Sequence, residues 1–494
     1  MAVALACRPA PPEKAVLARM GDETITPEEF RLNYEFGHGH LRRGDDPKRT
    51  YLQYMLLEKA MAHEALARKF DTLSAIRHAE YTLREELLIE EVFQTRVLDA
   101  IEVTDEEIRA EINTSAVRFQ FRFLPATGEV EAWQLHEAMK SRGYEAVLAD
   151  RQAEIPELAG LTDQLTSPML DAESVDPELM AILQNLEIHT PSEPVTYRGN
   201  WYVMEVTDIR RERLAEEDYA RRAPSARKVI YNRKAMEQGA AFVASTMEPL
   251  GVATKRAGLE ILAATLWDWY REDTPERNLL HYIEEQRLDT PYTRRLLALA
   301  AEPLVTFRGE AWTIRDFLVH FTPGRYILRP DDPRVFKARL SDIVALVVRD
   351  AVLLEMAEKD GLDRSPAVER SLRQWKEKWL FQEYARWLDK THAPTDPDLS
   401  AYYDAGTRTL DEAVVPFDSL TAEQRSRLAA RLAGETRRRV ADSLLAGEQV
   451  WIDEHMLDTL TLNVSATNPT MTVNLLKSNS NKPAFPVVDP NWRF

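Results

Sequence analysis

Pro191–Arg210 reads PSEPVTYRGNWYVMEVTDIR. Val195 and Tyr197 lead into a turn around Arg198-Gly199-Asn200, and Trp201, Val203 and Glu205 alternate with Tyr202, Met204 and Val206 on the way out. Two period-two runs about a glycine turn predict a β-hairpin. Upstream the period is helical: Leu52, Met55, Leu56, Ala60 and Ala67 form one stripe, and Ile76, Leu83, Leu87 and Val97 another. The fold class expected is therefore mainly α with an inserted α+β domain that this hairpin closes.

The bulk properties exclude several functions. A chain of 494 residues exceeds one hydrophobic core, so two to four domains are expected. A formal charge of −18 disfavours a phosphate-binding surface, so nucleic acid is not an expected partner. No apolar run is long enough to span a membrane as a helix. The single cysteine, Cys7, excludes a disulfide within the chain. His38, His40, His63 and His78 lack the spacing of metal ligands, so neither a metal nor a cofactor is expected. The basic run Arg437-Arg438-Arg439 is flanked by Leu432, Glu435 and Asp442 and reads as a solvated helix face.

Ser192-Glu193-Pro194-Val195 and Tyr202-Val203-Met204-Glu205-Val206 resemble the last hairpin of parvulin-type peptidyl-prolyl isomerases. Gly143 to Ala149 is similar to a helix start of the same family, and Val117 to Leu124 to its first strand. The resemblance implies a parvulin-like domain over 116–209. Phe121 falls where the family's first-strand histidine would stand, and Tyr202 takes the place of the histidine in the last hairpin. Val175 and Leu179 correspond to the residues that floor the proline pocket. The family's glycine-rich strand is missing, since Gly160 is the only glycine between Asp150 and Asn185. Sites of this kind depend on preorganised polar groups, so the replacements imply that isomerase activity is lost and that the chain has no catalytic residue there.

The helical part carries a second resemblance. Val16 to Phe30 gives a short strand, a turn and a helix start with Thr26 as N-cap and Pro27 at the first position. It is similar to the opening of the SurA, PrsA and PpiD class of extracytoplasmic folding factors, and Val103-Thr104-Asp105-Glu106-Glu107-Ile108 resembles that class's junction before the parvulin domain. The opening then recurs: Thr26 and Phe30 match Thr313 and Phe317, Asp45-Asp46-Pro47 matches Asp331-Asp332-Pro333, and Thr104-Asp105 matches Thr395-Asp396. Two tandem SurA-N-like helical modules are expected, only the first with a parvulin insert. The first comprises 16–115 completed by a return helix in 210–267, which a short strand at Val252-Ala253-Thr254 ends. A helical connector covers 268–303, with helices over Glu276–Arg287 and Arg294–Ala301. The second module spans 304–461 and ends on Val450-Trp451-Ile452-Asp453.

Met1 to Cys7 resembles the end of a bacterial lipoprotein signal peptide, which implies lipidation of Cys7, a tether over 1–15 and a lipid anchor in a membrane of the periplasm or cell envelope. Trp375, Trp379, Phe381, Tyr384 and Trp387 read as core beneath a C-terminal helix or as the wall of a client groove. The tail, 462–494, is rich in Asn, Ser, Thr and Pro yet holds Phe485, Trp492 and Phe494. It is expected to pack back on its own module or to dock a partner, and docking is the reading carried forward. The resemblance implies an ATP-independent holdase for unfolded or nascent envelope proteins. The alternative functions are a permanent lipoprotein subunit of an outer-membrane assembly or secretion complex, and an isomerase with a non-standard site.

Overall fold

A computed structural model describes residues 15–156, 160, 164–171, 175–272, 290–323, 325–406, 416–465, 468, 470–473, 475 and 483–492. Their contacts divide the chain into two units, Met1–Val92 with Pro249–Phe494, and Phe93–Glu248. The fold is mainly helical with small antiparallel sheets.

The chain opens with strands β1 (Ala18–Met20) and β2 (Glu23–Ile25) and helix α1 (Pro27–Phe36). The Thr26 hydroxyl accepts from Glu29 N at 3.1 Å, and Pro27 has no N–H to leave unpaired. Helix α2 (Pro47–Ala67) starts in the same way from Asp46, which accepts from Arg49 N. Helices α3 (Ser74–Arg96) and α4 (Asp105–Ser115) follow, the latter closed by a Thr104–Glu107 capping box.

The α+β insert comes next: β3 (Val117–Ala126), α5 (Glu129–Arg142), α6 (Tyr144–Glu154), β4 (Leu170–Asp171), α7 (Pro177–Gln184), β5 (Val195–Tyr197) and β6 (Asn200–Arg211). Its antiparallel sheet runs β4-β3-β6-β5. The expected hairpin is β5–β6, joined by Arg198 and Gly199 at φ +48° and +77°; a two-residue turn with both angles positive matches the strands' twist, and glycine adopts it without strain. The insert's ends meet, with Glu212 N donating to Ala116 O at 3.0 Å. Helix α8 (Glu216–Met247) then returns along α4, burying Ile108 and Ile112 against Ala226 and Ile230.

Beyond it lie β7 (Ala253–Thr254), α9 (Arg256–Glu272), α10 (Pro291–Ala298), β8 (Pro303–Phe307), β9 (Glu310–Thr313), α11 (Ile314–His320), α12 (Pro333–Lys359), α13 (Pro366–Thr391), α14 (Asp396–Gly406), α15 (Ala422–Ala446), β10 (Val450–Ile452) and α16 (Glu454–Thr459). The order strand–strand–helix with a threonine cap, then an Asp-Pro helix start, occurs at 18–47 and again at 303–333.

The pairing of the two short closing strands differs from the expectation. Ala253–Thr254 pairs with β8, and Val450–Ile452 pairs with β1, so each hairpin takes the strand that follows the other's helices. Helices α13 and α15 likewise pack on α2, and α9 packs on α12. Residues 253–272 thus do not complete the first helical set, and the segment from 268 is not a plain connector: Trp269 and Tyr270 are buried, with Tyr270 against Phe336. A two-stranded hairpin offers an edge to any short strand, and closing strands of two and three residues carry too little pattern for local sequence to assign them. The Glu276–Arg287 helix falls outside the described residues.

Candidate functional site

The sheet of the α+β insert has two covered faces. Leu124 and Val203 meet Leu135, Met139, Val147 and Leu148 of α5 and α6 on one. On the other, Phe119, Phe121, Met204 and Val206 meet Val175, Met180 and Leu183 around α7. Period-two alternation sorts the side chains to these faces, and pairing of Phe121 with Val206 and of Phe123 with Met204 puts Phe121 and Tyr202 on the same one. Phe123 lies between them, 6.2 Å from Phe121 and edge-on to Tyr202 at 5.7 Å. Val175 and Leu179 join the same apolar cluster. The four positions singled out from sequence are therefore together, and what they form is a packed apolar layer.

The polar groups near this layer have partners in the backbone or in one another. Ser167 Oγ accepts from Phe121 N at 3.0 Å, and Ser192 Oγ from Met204 N at 2.9 Å. His136, on α5, places Nδ1 2.7 Å from the Ser192 carbonyl and its ring edge-on to Trp133. Arg122 pairs with Glu205 (3.1 Å) and Glu145 (2.8 Å) over the ring of Tyr144, whose hydroxyl burial pushes up to about 12. Among the described residues, the side chains in contact around Phe121 are apolar or aromatic.

The aromatic group on α13 divides. Phe381 and Tyr384 are buried in the core built on α1, α2 and α15, while Trp375, Trp379 and Trp387 are half-buried. Trp375 lies 6.0 Å from Trp379, and Arg68 covers Trp387 at 4.5 Å. The tail enters the same core. Trp492 stacks between Tyr54 and Phe381, each 6.1 Å away, and donates its indole N–H to Glu58 at 2.9 Å; Phe485 meets Phe36 edge-on at 6.2 Å. The expectation that the tail docks a partner is corrected here for Trp492 and Phe485, which pack on their own chain because a gap between two aromatic rings with an acceptor beneath fits an indole. The fixed-subunit function is left without the arm on which it was argued. Phe494 and Cys7 lie outside the described residues.

Beside the tail is a solvent-open cavity of about 80 Å³, lined by Glu29, Met55, Lys59, Gln374 and Glu377. Lys59 is buried, in contact with Glu377 and 3.9 Å from Glu23 and Glu29. Burial raises the Glu29 and Glu377 carboxyls, with Lys59 working against that rise. Burial also works against the Lys59 ammonium, yet Glu377 and Glu29 more than offset it and leave it raised. Sequence reading missed Asn33, Glu58, Lys59 and Glu377. The available signal was Glu58-Lys59 interrupting the apolar stripe of α2 immediately before Ala60: a buried polar residue needs a partner elsewhere.

No family model and no curated protein matches this chain. Similar solved structures are PrsA and SurA-like chaperones. The peptidylprolyl isomerase PrsA of Bacillus anthracis is 12% identical, with 37% of this chain and 87% of that one covered and a TM-score of 0.21. The foldase PrsA of Streptococcus pneumoniae is 16% identical over 45% of this chain and 87% of its own, also at 0.21. A structure described with PEB4 and Cj1289, two SurA-like chaperones of Campylobacter jejuni, is 14% identical over 47% and 98%, at 0.19. At these TM-scores the likeness decides nothing about the chemistry of this chain.

Proposed function

We propose that this chain is an extracytoplasmic folding factor that holds extended, unfolded clients without ATP and without isomerising their prolines. The observation that carries this reading is the apolar layer at Phe121, Phe123 and Tyr202, in an insert whose motifs resemble parvulin and whose flanking helices open on motifs of the SurA and PrsA class. Rotation about a prolyl bond is catalysed by preorganised polar groups, whereas retention of a client needs exposed apolar surface; with Phe121 buried, the half-buried Phe123 and Tyr202 are the part of this layer that a client can reach. The half-buried Trp375 and Trp379 add a further apolar wall on α13.

The same reading makes the two helical sets tandem SurA-N-like modules, the second without an insert, and places the protein at the cell envelope with Cys7 lipidated. Two assays test it. Purified protein should leave proline-limited peptide isomerisation at the uncatalysed rate while suppressing aggregation of several unrelated unfolded proteins. Turnover abolished by Tyr202→Ala would show an isomerase with a non-standard site. Co-purification with one envelope protein in constant ratio, without aggregation suppression, would favour the fixed subunit. Labelled fatty acid should enter the wild-type chain in a bacterial host and fail to enter Cys7→Ala.

A further inference from the structure

Residues 485–492 are held in the way a peptide ligand is held. The segment has no helix from Ala484 to Asp489, and Pro486 and Pro490 deny it one. Its main chain is gripped by side chains of the core. Asn33 donates Nδ2 to Pro486 O at 3.1 Å and accepts from Val488 N at 3.0 Å. Glu58 accepts from Asp489 N at 2.6 Å, and His40 Nε2 lies 2.9 Å from Pro490 O. A carboxamide that takes the carbonyl of one residue and the N–H two residues on recognises non-helical backbone whatever its side chains. Specificity is left to two pockets, filled by Val488 and Trp492, each 2% exposed. Upstream, Gly39 lies so close to the tail that a Cβ there would overlap the Thr470 carbonyl.

The same kind of grip begins upstream, where Lys48 donates to the carbonyls of Leu457, Asp458 and Leu460 and Arg42 to that of Met471. Asn33, His40 and Glu58 use side-chain atoms to satisfy backbone that has no ladder or helix of its own, and a solvent-open cavity lined in part by Phe485 to Val488 runs beside the segment. We propose that the groove between α1, α2 and α13 is a peptide-binding site for irregular, proline-spaced segments that carry a β-branched residue and, four positions later, an aromatic one. Residues 485–492 are its resident occupant, exchanged for a client segment of the same chemistry. This deepens the client-holding reading and rests on it for the identity of the incoming segment; the groove itself can be tested without it.

The test uses the full chain, a chain ending at Lys482, and the full chain with Val488→Asp and Trp492→Ala. The probe is a fluorescent peptide of residues 483–494, with a scrambled control. Both altered proteins should bind the peptide at least tenfold more tightly than the intact chain and ignore the scrambled one, and adding Asn33→Ala to either should weaken binding about tenfold. Folded, cooperative variants that bind no better than the intact chain overturn the proposal. Should both variants fail to fold, hydrogen exchange on the intact protein decides. The Val488 and Asp489 amides must exchange at least a hundredfold faster than that of Leu57; protection equal to Leu57 overturns exchange of the tail. Peptide binding without any suppression of client aggregation would leave the groove in place and remove the holdase reading.

Discussion

Lys59 shows what a single residue contributes here. Its ammonium sits among Glu23, Glu29 and Glu377, in a helix that buries Met55 to Leu57 on one side of Glu58-Lys59 and Ala60 to Ala62 on the other. Removing it takes the nearest counter-ion from the largely buried Glu29 and Glu377, and breaking a buried pair costs about 3–5 kcal/mol in comparable sites. Lys59→Met should therefore be strongly destabilised at neutral pH. The pH dependence follows from the direction of the shifts. Glu29 and Glu377 are raised by burial even with Lys59 present, and removing Lys59 raises them further. A carboxyl raised in the folded state contributes stability below its ordinary range, and that contribution is lost as pH rises through the raised value. The penalty of Lys59→Met should thus be smaller at pH 5 than at pH 7.5, measured by urea unfolding of both proteins. Equal penalties at the two values would show that the carboxylates are not the cause.

At the scale of elements, the capping residues and the insert behave as separable local decisions. Thr26, Asp46, Thr104, Thr313 and Thr421 each accept from a backbone N–H at a helix start, so those boundaries are set by side chains within three residues. The α+β insert is bounded by the Ala116–Glu212 hydrogen bond, and α4 meets α8 through Ile108, Ile112, Ala226 and Ile230 without help from its sheet. Deleting 117–211 and joining Ala116 to Glu212 should give a soluble protein that keeps its helical circular dichroism and melts cooperatively, because both cut ends are already adjacent. A molten or insoluble product would show that the insert belongs to the helical core.

At the scale of the molecule, the exchanged strands tie the two halves of the chain together. β1 and β2 accept β10, β8 accepts β7, and α2 is covered by α13 and α15. Phe381, Tyr384, Leu388 and Ala441 of the second half share one core with Phe30, Tyr51, Leu57 and Met61 of the first. A break in the chain between the halves should be tolerated while either half alone should not fold. Co-expression of residues 1–285 and 286–494 as separate chains is expected to yield a one-to-one complex with a single thermal transition, and each piece alone to be insoluble. Two independently folded pieces that fail to associate would refute the exchange.

These scales differ in how much the linear order of residues contains. Hairpin β5–β6 and the threonine-capped helix start at 26 were legible, because each depends on residues within about four positions of one another. The co-location of Phe121, Tyr202, Val175 and Leu179 was legible through resemblance and strand alternation. Three things were decided only in tertiary structure: which hairpin each closing strand joins, what covers Trp492, and which carboxylates surround Lys59. Each depends on a contact between segments far apart in the chain, as in the pairing of Ala18 with Ile452 or of Lys59 with Glu377, and each side of the contact is locally satisfied by more than one partner. An open strand edge, a gap between two rings and a buried ammonium state what kind of group they need; chain topology determines which group arrives.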